Sequence, residues 1–147
     1  MHINTVADTI KGHFNKDVLG VEVIGPKRLI VAINPKSLPE IANYLFEEMT
    51  YRFIIASALL VDQAIEIYYH FSDDTNGYIV NLDVMLPREK PEIESLANII
   101  YAADWIEREI HDLYGVTFLN HPNPVPFIAH ENWKEGAFPY SKTKENV

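Results

Sequence analysis

Ile65-Glu66-Ile67-Tyr68-Tyr69-His70-Phe71 is followed by Asp74-Thr75-Asn76-Gly77 and then by Tyr78-Ile79-Val80-Asn81-Leu82-Asp83-Val84-Met85-Leu86. On both sides of the Asn-Gly step, apolar residues recur at every second position, the period of a strand with one buried face. Asn-Gly suits the positive φ angles of a tight hairpin turn. Two long strands joined this way need more sheet and a covering layer, and the flanking sequence supplies both.

Immediately upstream, Phe53 to Val61 is apolar apart from Ser57 and reads as a buried strand. Before it, Ser37-Leu38-Pro39-Glu40 has the form of a capping box with proline in the first turn. It opens a helix whose Leu38, Ile41, Ala42, Leu45 and Met49 recur at helical spacing. Leu29 to Ile33 is apolar on both faces, like a central strand. Leu19, Val21 and Val23 alternate before the turn Gly25-Pro26-Lys27. An N-terminal helix places Val6, Ile10 and Phe14 on one face, with Asn4 or Thr5 as its N-cap.

Downstream, Pro87 and Pro91 bracket a loop, short helical material runs from Glu92 to Ala103, and a helix runs from Trp105 to Tyr114 with Gly115 as its C′ residue. The order α-β-β-α-β-β-β-α predicts an α+β fold: two layers, a mixed or antiparallel sheet, and helices on one face. The core domain is taken as residues 1–119. Residues 120–147 form an extended, proline-rich C-terminal arm, because Pro122, Pro124, Pro126 and Pro139 deny it sheet hydrogen bonds. Its aromatics Phe127, Trp133, Phe138 and Tyr140 admit two readings, a frayed tail or an arm anchored in a neighbouring subunit.

Composition bounds the function. A chain of 147 residues, 48% hydrophobic and 22% charged, fits one domain at roughly 100–200 residues per domain. With no cysteine, it offers neither zinc-thiolate nor cysteine-ligated iron–sulfur sites. Twelve basic residues against 21 acidic give a net charge of −9. No Lys/Arg stripe is present to release counterions from phosphates, which argues against nucleic acid as a partner. The N-terminus lacks the basic and apolar regions of a secretory signal, and no apolar stretch approaches the roughly 18 residues of a membrane span. The expectation is a cytoplasmic chain whose membrane association runs through partners. Walker, dinucleotide and Gly-x-Ser-x-Gly patterns do not occur.

The densest ionisable cluster is Glu107-Arg108-Glu109-Ile110-His111-Asp112. Glu107 and His111 lie one helical turn apart, a spacing at which they could share a metal if His121 or His130 completed the site. This gives an alternative reading as a metal-dependent enzyme; a protein-binding adaptor is a third. At about 100° per residue from Trp105, the apolar side chains Ala102, Leu113, Ile106, Ile110, Ala103 and Tyr114 fill an arc from about 60° to 180°. Glu107, Arg108, His111 and Asp112 take the rest of the circle, where Arg108 and Asp112 could pair. Glu109, at about 40°, falls inside the apolar side. The wheel therefore predicts a buried, partnered Glu109 and a solvated Glu107.

Trp105-Ile106-Glu107-Arg108-Glu109-Ile110-His111-Asp112-Leu113-Tyr114-Gly115-Val116-Thr117-Phe118, followed by His121-Pro122, closely resembles the signature of the 30-kilodalton subunit family of NADH-quinone oxidoreductase. That family belongs to respiratory complex I and the related energy-converting, membrane-bound nickel–iron hydrogenases. Tyr51-Arg52-Phe53, the hairpin and the proline-bracketed loop come in the family's order, and Asn132-Trp133 resembles its "Asp-Trp" element. The resemblance implies a non-redox subunit without a catalytic centre. Such a protein docks against a cluster-bearing small subunit and a catalytic large subunit, on the cytoplasmic face of the membrane. Iron–sulfur clusters, and nickel–iron where present, would lie on those partners. Trp105, Glu107, Arg108, Glu109, Asp112, Leu113, Gly115, Phe118, His121, Pro122 and Trp133 are its signature and expected interface residues. Respiratory members follow His-Pro with Asp-Leu-Arg-Arg and later carry Pro-Leu-Arg-Lys. Here the chain has Asn123-Pro124-Val125-Pro126 and Ala137-Phe138-Pro139-Tyr140-Ser141-Lys142, which weighs toward the hydrogenase type.

Overall fold

A computed structural model describes residues 2–129, 133, 134 and 136–141. Helix α1 (Ile3–His13) leads into β1 (Val18–Val23) and β2 (Arg28–Ile33). Helix α2 (Leu38–Asn43) and a π-helical turn (Tyr44–Glu48) come next, then β3 (Arg52–Val61), β4 (Ala64–Asp73) and β5 (Tyr78–Pro87). Short β6 (Glu92–Glu94), helix α3 (Asp104–Tyr114) and β7 (Thr117–Leu119) complete the regular elements used below.

The five long strands form one sheet in the order β1-β2-β5-β4-β3. Only β2 and β5 run parallel, so the sheet is mixed. Its inner face carries Leu29, Val31 and Ile33 of β2, Ile65, Ile67, Tyr69 and Phe71 of β4, and Tyr78, Val80, Leu82, Val84 and Leu86 of β5, all buried. Ile3, Val6 and Ile10 of α1 and Leu38, Ile41 and Leu45 of the second helical segment close the same core. This is the expected two-layer α+β arrangement. Period-2 alternation fixes the register, since a one-residue slip would turn the whole inner set outward.

Local details differ from the sequence expectation for identifiable reasons. His2, extended at φ −99° and ψ 150°, is the N-cap of α1, and its carbonyl accepts from Thr5 and Val6. Asn4 and Thr5 already lie inside the helix. Ser37 makes no side-chain cap; the Asn34 side chain instead accepts from the Lys36 N–H and starts a 3-10 turn three residues earlier. In the hairpin, Gly77 takes positive φ (74°) but Asn76 does not. The loop is closed by Asp73, whose carboxylate accepts from the Thr75 and Asn76 N–H groups. Phe53 to Val61 is an edge strand with Ile54, Ile55 and Leu59 exposed. An apolar run does not reveal whether its second face is covered by this chain. Finally, Glu92–Glu94 is a strand pairing in parallel with β7, and only Tyr101–Ala103 of the region before α3 is helical. No helix of the described residues is long and apolar enough to cross a membrane.

Leu82 is fully buried at the centre of the sheet. We expect Leu82→Ala to lower stability by about 2–5 kcal/mol, read as a drop in thermal midpoint of the isolated chain.

Candidate functional site

Helix α3 organises everything C-terminal to the sheet. Its N-terminal half follows a 3-10 turn, and Gly115, at φ 75° and ψ 18°, ends it in the left-handed conformation that glycine adopts without a Cβ penalty. An added Cβ there would stand 2.7 Å from the Phe138 ring, so the position needs glycine both for its backbone and for the close approach of the arm.

Glu107 is fully buried and Glu109 only half-buried, the reverse of the wheel's expectation. The Glu107 carboxylate accepts from Ser95 Oγ at 2.8 Å, Leu96 N at 3.0 Å and Ala97 N at 3.1 Å. It thereby binds α3 to the segment leaving β6. Burial pushes its pKa from an ordinary 4.5 up to about 8; the three donors pull the other way, and nearby Asp104 adds to the rise. The wheel failed because it assumed that the apolar arc packs inward. In the structure Ile110 and Ala103 face the core, whereas Trp105 stands 63% exposed. The polar side of α3 is covered by the arm.

Arg108 and Asp112 do not pair with each other. Arg108 Nε lies 3.2 Å from Asp104 Oδ1, one turn back, and its guanidinium sits over the Phe127 ring, 5.1 Å from the centroid. Asp112 Oδ2 accepts from three consecutive arm amides, Phe127, Ile128 and Ala129, at 2.8–3.1 Å. Phe127 stacks on Trp105 at 5.7 Å. The His121 side chain is buried beside Asp104, its Nε2 3.1 Å from the carboxylate. The Asn123 N–H donates to His121 Nδ1 at 2.9 Å, which places the ring proton on Nε2, facing Asp104. Further along, Phe138 meets the His111 ring edge-on, Tyr140 meets Tyr114, and Arg88 donates to the Ser141 carbonyl at 2.6 Å. The aromatic anchors Phe127, Phe138 and Tyr140 thus rest on this chain itself.

Of the remaining signature residues, Phe118 is buried on β7, Leu113 and Trp133 are half-buried, and Pro122 is exposed. Sequence reasoning did not single out Ser95 or Asp104. Asp104 does stand four residues before Arg108, the spacing of a helical ion pair, and so could have been found. Glu107, Arg108, His111, His121, Phe118 and Val125 line a cavity of about 120 Å³ under the arm. Two of the groups named for a metal are engaged within the chain. Glu107 is engaged by the 95–97 segment, and His111 Nδ1 lies 2.8 Å from the Val116 carbonyl. Among the described residues no three His, Asp or Glu groups are placed to share an ion. His130 and Asn132 lie outside the described residues.

With this geometry in view, comparison with known proteins gives a consistent result. Residues 31–145 match the family model for the respiratory-chain NADH dehydrogenase 30 Kd subunit, and the chain belongs to that family. It is 28% identical over 149 residues to a subunit of the F(420)H(2) dehydrogenase of Methanosarcina mazei, covering 99% of this chain and 93% of that one. It is 24% identical over 142 residues to a subunit of the NADH-quinone oxidoreductase of Salinispora tropica, covering 90% of this chain but only 58% of the longer relative. Among solved structures, a chain of an archaeal membrane-bound sulfane sulfur reductase superposes with a TM-score of 0.82 at 19% identity, over 93% of this chain and 82% of that one. That likeness is one of fold.

Two outcomes test the site. The thermal midpoint of the wild type should fall as pH rises from about 5 to 8, because the unfolded chain loses the Glu107 proton before the folded one does. The slope from this group reaches at most about 1.4 kcal/mol per pH unit. Glu107→Gln, which has the shape of the protonated acid, should flatten that slope. Separately, amide exchange at Phe127, Ile128 and Ala129 should be slow in the isolated chain and should accelerate in Asp112→Ala. Fast exchange in the wild type would mean that the arm is not held.

Proposed function

We propose that this chain is a non-redox structural subunit of a membrane-bound, complex I-like electron-transfer complex. In this reading it docks against a cluster-bearing small subunit and a catalytic large subunit on the cytoplasmic face of the membrane. Iron–sulfur clusters, and nickel–iron in a hydrogenase-type complex, reside on those partners. Membership of the family supports a complex I-like assembly; the docking scheme is the further step.

The observation that carries this reading is how the signature residues are used. Glu107, Arg108, Asp112, Gly115 and His121 all act on this chain's own backbone and side chains, fixing the 95–97 segment and the arm. Groups so occupied are poorly suited to turn over a substrate and well suited to hold a surface in one shape. The cysteine-free composition fits a chain that carries no cluster. The arm's lack of the Asp-Leu-Arg-Arg and Pro-Leu-Arg-Lys elements still weighs toward a hydrogenase-type complex. The F(420)H(2) dehydrogenase relative widens the range of electron-transfer chemistry such a complex could serve.

Affinity purification of the tagged chain from its own host should recover a cysteine-rich protein and a larger hydrogenase-like or quinone-reductase-like protein in fixed ratio. The chain purified alone should contain no stoichiometric nickel, iron or zinc by elemental analysis. Recovery of the chain alone from detergent-solubilised membranes and cytosol would overturn the assembly reading, as one equivalent of bound metal would overturn the non-redox one.

A further inference from the structure

Beside the arm, α3 and edge strand β3 present a continuous apolar face. Ile54 and Ile55 of β3, Ile106 of α3, and the stacked pair Trp105 and Phe127 line an open depression, and Glu109 stands among them. Trp105 is 63% exposed, Phe127 42% and Ile55 45%, which is far from the usual scatter of single apolar residues on a surface. The two rings are also stacked on each other. Phe127 carries the Arg108 guanidinium over its ring, and its backbone N–H donates to the Asp112 carboxylate. A supported aromatic pair exposed in this way has the chemistry of an interface anchor, because part of its freedom is already lost before binding.

Glu109 decides what the partner must look like. Each ion pair formed among the described residues uses other groups, and Arg108, its chain neighbour, is committed to Asp104 and Phe127. Covering the depression would strip water from the Glu109 carboxylate, which is costly unless a cation arrives with the cover. A second copy of this chain cannot supply one symmetrically. A two-fold interface centred here would bring two Glu109 side chains together on chains that each carry a net charge of −9. A guanidinium meets both demands: it pairs with a carboxylate through two parallel hydrogen bonds and lies flat on an indole face. Trp105 and Glu109 are one helical turn apart, within reach of a single such group.

We infer that this face receives a partner-subunit segment presenting one arginine between apolar side chains, with its guanidinium on Glu109 and Trp105. The inference rests on the assembly reading above and adds to it the place and the chemistry of one contact. To test it, tagged wild type, Glu109→Arg and, as a control, Met85→Arg on the exposed outer face of β5 are expressed in the host and their partners quantified. Glu109→Arg should lose about tenfold or more of the recovered partner while keeping the wild-type thermal midpoint; Met85→Arg should lose little. A photo-cross-linking residue at exposed Ala102 should capture an arginine-containing peptide of another subunit. Equal recovery by wild type and Glu109→Arg overturns this contact and leaves the assembly reading standing. So do cross-links found only to a second copy of the chain or only to lipid. A wild type that recovers no partner overturns both.

Discussion

The C-terminal third of the molecule depends on one buried carboxylate. Glu107 is wholly shielded from water and would be costly to bury bare, yet three donors from a single short segment converge on it. The Leu96 amide would itself be orphaned without it, since it lies outside any helix or strand, and the Ala97 amide would keep only the Ser95 hydroxyl. Each side of the contact removes the other's penalty. The result is a fixed distance and rotation between α3 and the chain leaving β6, and every later contact inherits that placement: Asp112 to the arm, Gly115 to Phe138, Tyr114 to the β3 carbonyl of Ala58.

The sheet was legible because its signal is local. Alternation over β4 and β5 survives any arrangement of the rest, and so does the chain order of the elements. What could not be read is which surfaces are covered, and by what. The apolar run of β3 looked like a buried strand, yet it lies at an edge with its outer face open. The wheel of α3 placed Glu109 among apolar neighbours correctly, but Trp105 and Ile106 turned out to belong to the outward side. Glu107 looked solvated because a wheel has no means of showing that three donors wait beneath it. The family resemblance rested on the spacing of the signature itself, which needs no knowledge of burial. It therefore succeeded where the wheel did not.

The arm shows how polar and apolar contacts divide the work. Aromatic rings along it rest on α3 at Trp105, His111 and Tyr114, but rings alone slide. The direction is set by groups that accept only one geometry: the Asp112 carboxylate on three successive amides, and a histidine whose tautomer is fixed by the Asn123 N–H on one side and faces Asp104 on the other. Proline supplies the complement, because an extended segment with few free N–H groups presents only selected amides to be held.

Asp112 grips the arm by its main chain, and this has a consequence for how such proteins can diverge. A carboxylate that recognises N–H groups is indifferent to the side chains they carry, provided that none of the three positions becomes proline. The arm can therefore exchange its outward residues freely while its path over α3 stays the same.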